Sequence, residues 1–184
     1  MSSRSATPPL LFGTMVFLAS ELLFFGGLFA ASFTLRSATA VWPPSGDEIS
    51  AREPGIATAL LVASSFTFIR ALRRLSARDR RGFHRWTIVT FALGVAFLLM
   101  QLHDYLQLPF RVSTDAYGTM FYAMTGFHGL HVLVGLLLML VILGRSRQGA
   151  YDGGVTLGPE AVGYYWHFVD VVWLGLFGTI YLLR

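Results

Sequence analysis

The stretch LLFGTMVFLASELLFFGGLFAASFTL, residues 10–35, decides the class of fold. It contains a single charged residue, Glu21, close to its centre. A helix that rises about 1.5 Å per residue needs about 20 residues to cross roughly 30 Å of hydrocarbon, so this stretch predicts a transmembrane helix. An ionisable side chain is costly at that depth, which makes Glu21 the first candidate functional residue.

Four further runs of the chain have the same character. Residues 54–69, 86–103, 116–144 and 161–183 carry no Asp, Glu or Arg except Asp170. Such long apolar runs favour helices over the short alternating strands of a membrane barrel. The sequence therefore predicts an all-α, polytopic membrane protein, with one domain over residues 1–184 and a bundle of five transmembrane helices. Their expected positions are about 9–35, 54–76, 85–106, 117–144 and 161–183.

The composition excludes several function classes. Hydrophobic residues make up 54% of the 184 residues and charged residues 13%, about half the charged share of an ordinary soluble domain. The chain has no cysteine, which excludes disulfides, thiolate nucleophiles and zinc–thiolate sites. The sequence contains no phosphate-binding loop, catalytic triad or dinucleotide fingerprint.

The arginines predict the orientation. With five helices, one side of the membrane holds ten arginines and the other holds four. The first side carries Arg4 and the arginines within residues 70–85 and 144–160; the second carries Arg36, Arg52, Arg111 and Arg184. The positive-inside rule then places the N-terminus in the cytoplasm and the C-terminus outside. The basic run RALRRLSARDRRGFHR, residues 70–85, is interpreted as a contact with anionic lipid, not as a nucleic-acid site.

Five ionisable side chains fall near the middle of three predicted helices: Glu21, His128, His131, His167 and Asp170. Each should face the bundle and find a partner, so we expect one polar cluster that joins the first, fourth and fifth helices. A metal site, a bis-histidine haem and a proton relay are alternative roles for this cluster. No further ligand spacing supports a metal or haem, and the neighbours of Glu21 are apolar. The favoured interpretation is a structural polar lock in which Glu21 is a protonated acid bonded to a neighbour.

Aromatic and small residues complete the candidate list. Trp42 precedes Pro43 and Pro44 and is typical of an interfacial anchor. Trp166 and Trp173 are seven residues apart on one stripe, which indicates either packing or lipid contact. The lipid and interface candidates are Trp42, Arg70, Arg74, Trp166 and Trp173. Gly26 with Ala30 and Gly27 with Ala31, and the pairs Gly126/Gly129 and Gly175/Gly178, predict close approach of neighbouring helices.

Four motifs resemble one family closely. They are FLASELLFFGGLFAASF at 17–33, WPP at 42–44, YGTMFYAMTGFHGLHVLVG at 117–135 and YYWHFVDVVWLGLFGTIYLL at 164–183. Together they resemble subunit III of haem–copper cytochrome c oxidases, in the shorter, five-helix bacterial form. The resemblance runs from about Phe12 to the C-terminus. One departure is QLHDY at 101–105, where the family more often has Glu before the Tyr.

The resemblance implies an accessory, non-redox subunit of an aa3-type cytochrome c oxidase in a bacterial plasma membrane. The complex is a proton-pumping oxidoreductase of aerobic respiration, and its haem and copper belong to subunits I and II. Subunit III packs against subunit I, binds phospholipid, and supports proton uptake and turnover stability; a larger respiratory supercomplex is a further expected partner. Glu21, His131, His167 and Asp170 match the polar motif positions of the family, and no metal or other cofactor is expected in this chain.

Three alternatives stay open from the sequence. Subunit III of a quinol oxidase shares the HGLHV and WHFVDVVW motifs, although its first helix often has Ser-Asp where this chain has Ser20-Glu21. A subunit-III-like protein of nitric oxide reduction is the second. A stand-alone proton or solute carrier is the third, and the uninterrupted spans disfavour it because transporters usually have broken helices near the midplane.

Overall fold

The computed structural model of the chain describes residues 9–43, 50–151 and 156–183, and Arg4, Pro44 and Arg184 lie outside these ranges. The described residues form an all-helical structure, as predicted. It has five α-helices: α1 (Pro9–Ala38), α2 (Arg52–Ser76), α3 (Arg80–Gln107), α4 (Ala116–Arg147) and α5 (Leu157–Phe177). α5 continues into a π-helical turn, Gly178–Leu182.

Helices α1 to α4 are each long and apolar enough to cross a membrane. α5 does not reach the same mean hydropathy, because it carries Glu160, His167 and Asp170 among its apolar residues. Its 21 residues still give a helix of about 30 Å at 1.5 Å per residue. That α5 spans the membrane therefore stays a prediction.

The starts of α3 and α4 are fixed by aspartate caps. The Asp79 carboxylate accepts a hydrogen bond from the Gly82 amide at 2.8 Å, and the Asp115 carboxylate accepts one from the Gly118 amide at 2.7 Å. Both aspartates satisfy amides that the first turn of a helix leaves without an intrahelical partner. At the other end of α4, arginines occupy the last turn, where the helix dipole favours cations.

α5 occupies the centre of the bundle and packs against α1, α2 and α4. α2 and α3 form an antiparallel hairpin, α3 also packs on α4, and α1 lies at the edge of the bundle against α4 and α5. The main core contains Phe68, Phe83, Phe97, Met139 and Trp166, all buried. A smaller aromatic cluster of Phe110, Tyr117, Phe121 and Tyr181 lies where α4 begins and α5 ends.

Two glycines that the sequence analysis did not select make the closest helix contacts. A Cβ atom at Gly94 would lie 2.8 Å from the Trp166 ring, and one at Gly135 would lie 2.7 Å from it. α3 and α4 therefore reach the indole of α5 only because these positions lack side chains. The close approach of a neighbouring helix that was predicted at Gly26 and Gly27 of α1 is wrong within this chain, since a Cβ at either position would have no neighbouring atom within 4 Å.

Candidate functional site

Glu21 and His131 form a pair that joins α1 to α4. The Oε2 atom of Glu21 lies 2.9 Å from Nε2 of His131, and Nδ1 of His131 lies 2.7 Å from the backbone oxygen of Phe127. A carbonyl oxygen can only accept, so Nδ1 carries a hydrogen. One further proton then lies between Oε2 and Nε2, and the pair is neutral overall whichever atom holds it.

The surroundings of this pair extend the contact to α5. The Tyr165 hydroxyl donates to the backbone oxygen of His131 at 3.0 Å, and the Phe25 ring meets the His131 ring edge-on at a centroid distance of 5.1 Å. Phe17 of α1 stacks on Tyr165 at 6.3 Å. Glu21 and His131 thus lie at the junction of α1, α4 and α5, as predicted from their common depth.

His167 and Asp170 form a separate group with Ser65 of α2. The Ser65 hydroxyl lies 2.7 Å from Nδ1 of His167 and donates to Oδ2 of Asp170. Because the single hydroxyl hydrogen goes to the carboxylate, the serine oxygen accepts from the imidazole N–H. Ser65 was not among the predicted site residues; the signal that the sequence offers is the Ser64-Ser65 pair inside an otherwise apolar run.

His128 belongs to neither group. Its side chain is fully buried between the rings of Phe97 and Trp173, at centroid distances of 5.8 and 4.9 Å. Neither ring nitrogen has a hydrogen-bond partner among the described residues. The predicted single cluster is therefore wrong, because the five residues divide into a Glu21–His131 pair, a His167–Asp170 group on α2, and a lone His128.

Replacing His128 by leucine is expected to leave the unfolding temperature in detergent unchanged or raised. The leucine fills a similar volume and removes two buried nitrogens, each of which costs about 1–3 kcal/mol when it lacks a partner. The matched variant His131→Leu, which breaks the bond to Glu21, should lower the unfolding temperature. A marked loss of stability in His128→Leu would contradict the apolar environment described for this ring.

Trp166 and Trp173 do not face lipid, which corrects their place among the interface candidates. The Trp166 indole is fully buried and donates to the Ser64 hydroxyl at 2.9 Å. The Trp173 indole donates to the Thr58 hydroxyl at 2.8 Å. Both tryptophans connect α5 to α2 inside the helix bundle, so the stripe that they form is an internal packing surface.

The other three interface candidates lie nearer the surface. Trp42 is partly buried and meets Tyr117 edge-on at 5.0 Å. Arg70 is exposed and lies over the Trp86 ring at 4.7 Å. Arg74 is exposed and pairs with Asp79 at 3.4 Å.

A groove runs between α1, α4 and α5 at the end where α1 begins. Its volume is about 650 Å³, and its walls are mostly apolar, from Leu10 and Phe17 to Leu138 and Val141. Arg145 and Tyr151 line it where α4 ends. Burial raises the pKa of the Tyr151 phenol, so the tyrosine is a neutral hydroxyl there. Apolar walls beside one guanidinium suit a molecule with a hydrocarbon chain and an anionic head.

Within residues 9–43, 50–151 and 156–183, no three His, Asp or Glu side chains are grouped so that they could hold a metal ion. The polar side chains of the site instead form hydrogen bonds between helices. These bonds connect α1 to α4, α4 to α5, and α5 to α2.

The comparisons with known proteins agree on one family. The sequence profile of the family "Cytochrome c oxidase subunit III" matches residues 3–184. "Cytochrome c oxidase subunit 3" of Thermostichus vulcanus is 44% identical over 93% of this chain and 86% of its own length. The protein of the same name from Synechocystis is 42% identical over 94% of this chain and 75% of its own length. "Probable cytochrome c oxidase subunit 3" of Mycobacterium tuberculosis is 40% identical over 94% of this chain and 87% of its own length. The chain belongs to the cytochrome c oxidase subunit III family.

Proposed function

We propose that this chain is the accessory, non-redox subunit of an aa3-type cytochrome c oxidase, packed against subunit I, with haem and copper in subunits I and II. The observation that carries the proposal is the family match over residues 3–184. The relatives at 40–44% identity are named for cytochrome c, which favours this donor over quinol or a role in nitric oxide reduction. Family membership and the four apolar helices make it a multi-pass protein of the bacterial plasma membrane.

Glu21 and His131 act in this proposal as a polar lock and not as a station of a proton path. Each group is already bonded to the other, and the side chains next to them are aromatic. Phe24 and Phe25 of α1 lie against Phe127 and His131 of α4, respectively. The pair holds α1 at the edge of the bundle, where few other polar contacts retain it.

The groove between α1, α4 and α5 is the proposed phospholipid site of the subunit. Its apolar walls would take an acyl chain, and the Arg145 guanidinium would bind the headgroup phosphate. With the N-terminus in the cytoplasm and α5 spanning the membrane, this groove opens to the cytoplasmic leaflet. A lipid held there would contribute to the support of proton uptake and turnover stability that the family resemblance implies.

Co-purification tests the accessory role. The tagged chain, isolated in mild detergent, is expected to bring down oxidase subunits I and II with a haem a absorbance spectrum that belongs to them. A chain that purifies alone in a transport-competent form would support the carrier alternative. Haem bound stoichiometrically to the purified chain by itself would show that the accessory role is wrong.

Two substitutions at Glu21 separate the lock from a relay. Glu21→Gln should leave assembly nearly intact, because the amide N–H₂ of glutamine can donate to Nε2 of His131. Glu21→Leu leaves that nitrogen without a partner and should weaken the attachment of α1 by about 1–3 kcal/mol. The readouts are the unfolding temperature and the yield of co-purified subunits. If Glu21→Gln abolished initial proton pumping in an assembled complex, a relay would replace the lock.

A further inference from the structure

Helix α5 is enclosed by its neighbours on three sides and open on the fourth. α1, α2 and α4 pack against it, and α3 completes the ring between α2 and α4. In the part of the chain that the structure describes, α1 and α2 make no extensive contact with each other. The bundle therefore has a lateral opening between α1 and α2, with α5 at its back. The groove of the proposed function is a different surface, because α4 forms one of its walls.

Four residues of α5 lie on the side that faces this α1–α2 opening. They are three or four positions apart and so share one helix face: Tyr164, His167, Val171 and Leu174. His167 is partly exposed and the other three are exposed. On one flank of this face Gly163 lies against Leu72 of α2, and on the other flank Gly175 lies against Phe29 of α1. The exposed face thus falls between the two helices that border the opening.

The polar group at the opening has two unfilled hydrogen-bond positions. Ser65 occupies Nδ1 of His167 and Oδ2 of Asp170. Nε2 of His167 and Oδ1 of Asp170 have no hydrogen-bond partner among the described residues. Because Nδ1 carries the hydrogen of the neutral imidazole, both free atoms are acceptors. Oδ1 is enclosed, whereas the imidazole is partly exposed, so Nε2 is the acceptor that a neighbour can reach.

The depth of this group decides what the neighbour is. Ser65 lies near the middle of α2, which runs from Arg52 to Ser76, and bonds to His167 there. Acyl chains at that depth cannot donate a hydrogen bond, and an unsatisfied polar group is costly in hydrocarbon. A further helix satisfies its own backbone groups in the bilayer and can carry a polar side chain to that depth. The unfilled acceptor therefore favours a helix over lipid in the opening.

We infer that a transmembrane helix of a partner protein closes the α1–α2 opening. It packs on Tyr164, Val171 and Leu174, and an O–H or N–H group of one of its side chains donates to Nε2 of His167. The inference rests on the proposed function only for the identity of the partner, which would be a subunit of the same oxidase. It assigns residues to a contact between subunits that the proposed function leaves without any.

Photo-cross-linking at Tyr164 tests this contact in the membrane of cells that produce the chain with its own respiratory complex. p-Azidophenylalanine has nearly the shape of tyrosine, so it can replace Tyr164 without crowding the opening. We expect a cross-link that mass spectrometry maps to a transmembrane segment of a subunit that co-purifies with the chain. The same group at Leu99, an exposed position of α3, is the matched control and should react with lipid.

Three results of this experiment would overturn the inference. Products with lipid alone at Tyr164 would show that the opening is filled by acyl chains. A cross-link from Tyr164 to a second copy of this chain would make the opening a contact between identical chains. Equal yields of protein product at Tyr164 and Leu99 would mean that the cross-links report chance encounters in the membrane.

The variant His167→Asn separates the contact with the partner from the fold of the chain. The N–H₂ group of asparagine can replace Nδ1–H toward Ser65, but the side chain has no atom in the place of Nε2. The cross-link yield at Tyr164 should fall about threefold, since hydrogen bonds between membrane helices average about 0.6 kcal/mol. The unfolding temperature of the chain isolated without partners should stay nearly unchanged. An unchanged yield would show that Nε2 receives no bond from the partner.

These readouts also separate the inference from the proposed function, because neither requires haem in the preparation. A mapped cross-link at Tyr164 to a membrane protein other than an oxidase subunit, weakened by His167→Asn, would support the helix contact and contradict the oxidase role. Co-purified oxidase subunits without a cross-link at Tyr164 would contradict the contact and leave the oxidase role standing.

Discussion

Trp166→Ala should lower the free energy of unfolding of the subunit by about 3–5 kcal/mol, the usual cost of removing a large buried aromatic side chain. The indole has no exposed surface and lies between α3, α4 and α5, against Gly94 and Gly135. Its loss leaves a cavity at the point where three helices meet, and it removes the donor to the Ser64 hydroxyl. The unfolding temperature in detergent and the yield of assembled complex measure the effect.

Two further substitutions interpret that result. Trp166→Phe keeps an aromatic ring but removes the indole N–H and part of the buried volume, so its loss of stability should be smaller than that of Trp166→Ala. Trp42→Ala, at a partly exposed tryptophan, is the matched control and should cost much less. If Trp42→Ala were as damaging as Trp166→Ala, the placement of the core at α5 would be wrong.

The second large effect is expected from a single added methyl group at Gly135. An alanine Cβ at this position of α4 would lie 2.7 and 2.8 Å from two carbons of the Trp166 ring and 3.3 Å from the Tyr165 ring. Real Cβ atoms do not approach that closely, so the helices must separate or the indole must leave its rotamer. Overpacking of this kind costs about 1–3 kcal/mol, and the unfolding temperature should fall accordingly.

Gly144 provides the control for Gly135 on the same helix. A Cβ there would have no neighbour within 4 Å, and alanine has the higher helix propensity. Gly144→Ala should therefore be neutral or slightly stabilising, while Gly135→Ala destabilises. The same outcome for both variants would show that α4 does not approach α5 through Gly135.

The class of fold follows from the sequence because the length of an apolar run is set by the thickness of the bilayer. Long runs around Glu21, His128 and His167 could only be helices, and all three residues lie in helices. The low hydropathy of α5 has a local cause that the structure makes clear: His167 and Asp170 are bonded to Ser65 of α2, so this helix is polar where it meets another helix.

The partners of the polar residues could not be predicted in the same way. Hydropathy gives the depth of a side chain along its helix, but it does not say which helices are adjacent. Glu21 and His131 were expected together on depth and are found together, whereas His128, one turn from His131, packs against Phe97 of α3 and Trp173 of α5. The role of Ser65 as a partner of α5 could not be predicted, because serine is common in membrane helices, where its hydroxyl usually bonds to the backbone of its own helix.

The glycine contacts show the same limit. Small residues recur in all the apolar runs, and a motif such as Gly26 with Ala30 looks the same whether or not a helix lies against it. The positions that matter, Gly94 and Gly135, are identified only by the ring of Trp166 that fills the space above them. A bulky residue on a third helix therefore decides which glycines are needed, and a pattern within one helix cannot reveal it.

The bonds between α2 and α5 also bear on how the chain is built at the ribosome. The hydroxyls of Thr58 and Ser64 donate to backbone oxygens of α2 itself, so they are satisfied in lipid before any neighbour arrives. Each oxygen then has a lone pair left for an indole N–H of α5. α5 carries both indole donors, and it follows α2 in the chain, so the acceptors of α2 are synthesised first. Translation order therefore has the hydroxyl acceptors of α2 in place before the indole donors of α5 are made.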